Sequence, residues 1–214
     1  STLLASSAAS DVYKRQAEQT AQTKQALTAS LITVGRKKTL AKVSVADLTR
    51  ASGISRGTFY LHYLDKDDLV AKVEASLLGD LERGLDIGMD TAMDPNAIVS
   101  GKQSPLMVNM VHLINQRRDI CQFLLSPVGD PSLLGRVAKL LRDKILGHLA
   151  ELKGEAHFIH DIPDAYVSQI IVYGIIDIIQ LWLNEPQPRS EAEIVDILMK
   201  TRFLSPYQLL ALEK

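Results

Sequence analysis

Between Val43 and Leu69 the chain reads as three short blocks, each opened by a residue able to cap a helix. Ser44 and Asp47 make the pattern of a capping box, with Val43 and Leu48 as the flanking apolar pair. Ser55 opens the second block with Ile54 and Phe59 in the same flanking positions, and Asp65 opens the third with Asp68, Leu64 and Leu69. Gly53 falls between the first two, where a helix end needs a residue tolerant of positive φ. The pattern predicts helices over about 45–52 and 56–63, and another beginning near Lys66. Upstream, a helix from about Ala17 to Gly35 would bury Ala26, Leu27, Ala29, Leu31, Ile32 and Val34. Downstream, Leu69, Val73, Leu77, Leu81 and Leu85 recur every fourth residue, one stripe of a long helix.

Gly88 to Pro105 reads as a loop broken by Pro95, Gly101 and Pro105. Four further helices follow, near 105–126 (with a break near Gln116), 131–152, 162–184 and 190–203, and a short tail helix after Pro206. No strand alternation of any length occurs, so the expected fold is all-α. It divides into a flexible leader over 1–16, a three-helix head over 17–65 and a helical body over 66–214, with the helix from Lys66 as connector. Two short helices joined through a tight glycine turn form a helix-turn-helix, whose second helix enters the DNA major groove.

Charge sharpens this reading. The chain carries a net charge of −1, unpromising for a DNA binder until it is divided. Lys24, Arg36, Lys37, Lys38, Lys42, Arg50, Arg56 and Lys66 crowd the stretch from Thr20 to Lys66 against only Asp47 and Asp65, so the rest of the chain is acidic. A basic head on an acidic body suits a phosphate-binding module attached to a domain with another task. One cysteine, Cys121, excludes an internal disulfide and fits a reducing cytoplasm. Residues 1–16 hold no basic region before an apolar run, so no secretory signal is expected, and no uninterrupted apolar run suggests a membrane span. The alternative for this leader is a basic arm that touches the minor groove through Lys14 and Arg15.

The run from Ala51 to Leu69, preceded by Ser44 to Leu48, resembles the TetR family of transcriptional regulators. Gly53, Ile54, Ser55, Arg56, Gly57, Thr58, Phe59, Tyr60 and Lys66 match the family pattern, while Tyr63 stands where many members carry Phe. The specific match covers about Thr23 to Val70, and DVYKRQ does not look like the family's own N-terminus, as if the leader were an addition. Phe59 and Tyr63 should face the head's core, turning Arg56, Gly57, Thr58 and Tyr60 outward. Arginine can pair bidentately with guanine, a threonine methyl can meet thymine, and a glycine lets a helix approach closely. The resemblance adds Tyr60, His62, Lys66, Thr23 and Lys24 as phosphate contacts. With the cap serines Ser44 and Ser55, these residues make up the expected DNA-binding set on a double-stranded operator.

The helix near 162–184 is apolar nearly all round and must be covered on two sides. Family members dimerise through their last two long helices, which implies a homodimer face at Ile171, Gly174, Ile175, Ile178 and Trp182. Asp177 within that run could meet a ligand or Arg202, or sit in a structural ion pair. Candidate walls of a pocket for an unknown small-molecule effector are Met107, Met110, Val111, Ile114, Phe123, Leu124, Leu141 and Tyr173. His112 and Cys121 read as pocket or core residues. His157, His160 and Asp161 have metal-like spacing but fall in a loop, so neither a metal nor a cofactor is expected. No nucleophile–base pair or phosphate loop is legible, so an enzyme is not expected. The resemblance implies a cytoplasmic repressor released from a palindromic operator when the effector binds. A rival follows from the ISRGTFYLHY and GIIDIIQLWLNEP stretches, which look like the subgroup that includes dihydroxyacetone-kinase operon activators; there the body would bind a protein co-activator.

Overall fold

A computed structural model describes residues 2–92, 103–155, 157–159, 161–201, 209 and 210, and among them every regular element is helical. The chain forms two compact units, Ser1–Glu74 and Ala75–Lys214, which divide within a helix nine residues past the expected head boundary.

The first unit contains α1 (Thr2–Gly35), a 3₁₀ turn at Leu40–Lys42, α2 (Val45–Ser52), α3 (Arg56–His62) and the start of α4 (Lys66–Ala92). Its core is Leu27, Leu31, Val34, Leu40, Val43, Leu48, Phe59, Tyr63, Leu69 and Val70. Ala26 and Ile32 are half-buried and Ala29 is exposed; Ser30 takes its place inside, donating to the Leu27 carbonyl at 2.6 Å. The helix does not begin at Ala17 as expected: it already runs through the stretch read as a flexible leader. Alanine and leucine in that stretch favour helix by propensity without needing an apolar face.

The second unit contains the rest of α4, α5 (Pro105–Gln116), α6 (Arg118–Leu124), α7 (Pro131–Lys153), α8 (Asp164–Leu183) and α9 (Glu191–Thr201). α4 continues to Ala92, through the residues read as the start of a loop; residues 93–102 of that loop, most of the tail helix, and Arg202 lie outside the described residues. The break near Gln116 appears at Arg117, between α5 and α6. α8 carries a π-helical turn over Gln169–Tyr173, a wider turn that period-counting does not anticipate. By length and mean hydropathy α8 could cross a membrane, contrary to the expectation from its sequence. Its Val172, Ile176, Ile179, Trp182 and Leu183 are instead buried in the unit's two apolar clusters.

Candidate nucleic-acid interface and body cavity

The head is assembled by its caps. Ser44 Oγ accepts from the Asp47 amide at 3.2 Å and donates to Asp47 Oδ2 at 2.8 Å, while the Ser44 amide donates to the same carboxylate at 3.1 Å. Lys38 Nζ donates to both Asp47 oxygens at 2.9 Å. That lysine, then the Ser44 hydroxyl and amide, hold the Asp47 carboxyl at about 2, well below its ordinary value. α2 ends on Gly53 at φ 71°, the left-handed conformation that fits glycine, and the chain turns into α3. Ser55 Oγ accepts from the Thr58 amide at 3.0 Å. At α4, Asp65 Oδ1 accepts from the Asp68 amide at 2.8 Å, and Asp68 Oδ2 accepts from the Leu64 amide at 2.9 Å. Only the apolar pairing at this third cap departs from expectation: Leu69 is buried but Leu64 is 81% exposed.

Phe59 and Tyr63 pack inward with ring centroids 5.6 Å apart, which turns the opposite face of α3 outward. On that face Arg56 and Gly57 are exposed, Tyr60 is 57% exposed, and Thr58 is half-buried with Oγ1 2.9 Å from Ser55 Oγ. A Cβ built on Gly57 would meet only Ser55 Oγ, at 3.7 Å, so the glycine is not demanded by the head's own packing. The face also presents Leu61, 81% exposed, which the sequence reading passed over; its signal was an apolar residue on the outward phase, four places after Gly57. Lys24 is exposed and Thr23 half-buried on α1.

Two of the expected phosphate contacts are also tied into the head. Lys66 Nζ donates to the Leu40 carbonyl at 3.2 Å and lies 2.8 Å from Asp67 Oδ1. His62 is half-buried beside Tyr63, and its carbonyl accepts from Lys72 Nζ at 3.2 Å. By contrast Lys24, Arg36, Lys37, Lys42 and Arg56 are exposed, and none has a carboxylate partner among the described residues. The head's positive surplus is therefore left open at the surface, where phosphates could neutralise it.

The second unit holds a cavity of about 640 Å³ that is open on one side, where the exposed Ile170, Ile171 and Gly174 border it. Met107, Met110, Val111, Ile114 and Leu141 stand on its wall; Phe123, Leu124 and Tyr173 do not. Leu77 and Leu81, the least buried members of the α4 stripe, line it too, as does Cys121. Burial pushes the Cys121 thiol up to about 11, so it stays protonated. His112 is exposed rather than in the core, its Nδ1 3.0 Å from Glu191 Oε2. His157 pairs with Asp164 at 2.8 Å, His160 lies outside the described residues, and no metal-like cluster occurs among those described.

Of the residues expected at a dimer face, Ile171 and Gly174 are exposed and Ile175 and Ile178 half-buried. Trp182 is not available to a partner: it is 1% exposed, donates from Nε1 to the Arg189 carbonyl at 2.9 Å and lies under the Arg118 guanidinium. The outward stripe of α8 instead runs through Tyr166, Ile170, Gly174, Asp177 and Leu181. Asp177 is exposed and has no ion pair among the described residues, so the cost of burying it within the chain does not arise.

A capped helix-turn-helix with an open basic surface, joined in one chain to a hollow helical body, defines a DNA-binding transcriptional regulator. The chain belongs to the TetR family: residues 36–73 match the model for bacterial regulatory proteins of the tetR family, and residues 102–202 match that for a transcriptional regulator C-terminal region. It is accordingly a DNA-binding protein of a family that works as dimers. Among solved structures, a TetR transcriptional regulator from Streptococcus agalactiae is similar at 22% identity and TM-score 0.56, over 90% of this chain and 98% of that one. A putative TetR-family regulator from Syntrophomonas wolfei is similar at 13% identity and TM-score 0.54, over 91% and 97%. The fatty acid degradation regulator FadR from Bacillus halodurans is similar at 13% identity and TM-score 0.53, over 83% and 93%. At these identities the likeness is one of fold. No curated protein matches the sequence.

Proposed function

We propose that the protein is a cytoplasmic repressor that binds a palindromic operator as a homodimer and is released by a small molecule held in the body. Arg56, Gly57, Thr58 and Tyr60 read base edges, with Leu61 as an added apolar contact, while Thr23, Lys24, His62 and Lys66 position the head on phosphates and Ser44 and Ser55 hold the caps that aim α3. A second copy packs on the exposed side of α8 at Ile171 and Gly174, with Ile175 and Ile178 at its edge. The observation that carries the effector reading is the cavity of about 640 Å³, a volume suited to a small ligand. Its wall includes Leu77 and Leu81 of α4, the helix that also supplies Leu69 and Val73 to the head. A ligand that binds better to the low-affinity arrangement of α4 would weaken operator binding by about 1–3 kcal/mol of coupling. The rival of a protein co-activator would be better served by a filled core than by this cavity.

Footprinting the DNA upstream of the gene with the purified protein locates the operator. On that operator Arg56→Ala should lose about 1–3 kcal/mol of affinity and little on random DNA. Wild-type binding by the variant would remove Arg56 from base reading and shift the assignment to Thr58 and Tyr60.

A further inference from the structure

The cavity's wall has a chemistry that restricts its ligand. It is built of aliphatic and methionine side chains, and its polar groups are few: Asp80, Cys121, Gln180 and Thr201. Most of these are already satisfied by the protein. Asp80 Oδ2 forms an ion pair with Arg117 Nη2 at 2.6 Å but no hydrogen bond, and its other oxygen accepts from Arg83. Arg117 is itself engaged again, through Nη1 to Ser76 Oγ at 3.0 Å. Thr201 Oγ1 donates to the Ile197 carbonyl at 2.9 Å, and the Cys121 thiol is neutral and only a weak donor. Gln180 donates from Nε2 to the Leu125 carbonyl at 3.2 Å, and no bond to its Oε1 occurs among the described residues. The wall therefore offers a neutral amide acceptor at Gln180 and, beyond the paired Asp80, no charge.

We propose that the effector is an uncharged, largely hydrocarbon molecule carrying a hydrogen-bond donor that is directed to Gln180 Oε1. This rests on the reading of the cavity as the effector site. A carboxylate or an ammonium entering here would lose its hydration without gaining a counter-charge, unless it displaced Asp80 from Arg117 or Arg117 from Asp80. An alkyl chain loses nothing comparable and buries its surface against the wall. A single hydroxyl is accommodated by Gln180.

The test uses the intact chain with the neutral fluorophore N-phenyl-1-naphthylamine as the reporter of cavity occupancy. Its competitors are 1-dodecanol, dodecyl methyl ether, dodecanoate and dodecyltrimethylammonium, each below its micelle threshold. The alcohol should displace the fluorophore at concentrations roughly tenfold or more below both ions. It should also outcompete the ether, and Gln180→Leu should erase that alcohol–ether difference while leaving the ether's own affinity unchanged. Because the comparison of ions with neutral compounds is made on the unaltered chain, it holds even if Gln180→Leu fails to fold. Displacement by either ion at the alcohol's concentration would overturn the assigned class while leaving the cavity as an effector site. If the fluorophore does not bind although operator binding is intact, the effector reading itself falls. An alcohol no better than its ether in the unaltered chain would remove Gln180 from the proposal.

Discussion

Gly84 and Gly88 lie one turn apart on α4 and both face α5, yet alanine should have opposite consequences at the two positions. A Cβ on Gly84 would overlap Met110 Cε and come within 3.1 Å of its Sδ, the far end of a flexible side chain that borders the cavity. The methionine can swing aside, and replacing a helical glycine by alanine favours folding by about 1 kcal/mol. A Cβ on Gly88 would lie 2.8 Å from Leu106 Cβ and 3.2 Å from Leu106 Cα, atoms fixed to the backbone of α5. Relief there requires the two helices to part, at a cost of about 1–3 kcal/mol that the propensity gain only partly offsets. Gly88→Ala should therefore be less stable than Gly84→Ala by about 1–3 kcal/mol, which in a chain of this size means a melting temperature lower by at least about 2–4 °C. Thermal and urea unfolding followed by far-ultraviolet circular dichroism would measure the difference between the two variants. Equal stability, or Gly88→Ala the more stable, would refute the claim that a close backbone approach of α4 to α5 requires this glycine.

Lys66→Ala should lower both operator and random-DNA affinity and make the salt dependence shallower by about one unit per head. Because Lys66 also donates to the Leu40 carbonyl, the same change should cost the head about 1–2 kcal/mol of stability, and an unchanged melting temperature would show that bond to be idle. Asp47 should set part of the acid limit of the head. Its carboxyl is lowered from 3.8 to about 2, so its contribution is present above the unfolded value and is lost as pH falls through the folded one. Asp47→Asn should flatten the loss of stability across that window, and melts recorded through it would read the effect. Gly174→Arg should give monomers by light scattering without unfolding the chain, since a Cβ there meets nothing within 4 Å and the position is exposed. A persistent dimer would move the interface off this part of α8.

How much of this was legible beforehand depended on how local the signal was. The caps at Ser44, Ser55 and Asp65, the turn at Gly53 and the bounds of α2 and α3 were readable because each is decided within four or five residues. The α4 stripe and the helices of the body followed from periodicity, and the charge split from simple counting. Periodicity says that a face is apolar but not what covers it, and there the sequence reading ran out. Trp182 and Leu181 are neighbours in one apolar run, yet one is 1% and the other 70% exposed, a difference set by where Arg118, Arg189 and α9 lie. The π-helical turn in α8 shifts the phase of the residues after it, so a count at constant period cannot place Trp182 on its true face. Met107 and Phe123 looked equivalent as pocket walls, and only the space left between the two apolar clusters distinguished the residue that lines a cavity from the one that fills a core. Lys66 likewise presented itself as a surface charge until folding brought the Leu40 carbonyl within reach of its ammonium. The sequence alone determined the helices, their caps and the basic head, because those rest on neighbours along the chain; tertiary structure decided the cavity, the outward stripe and the second duty of Lys66, because those rest on neighbours in space.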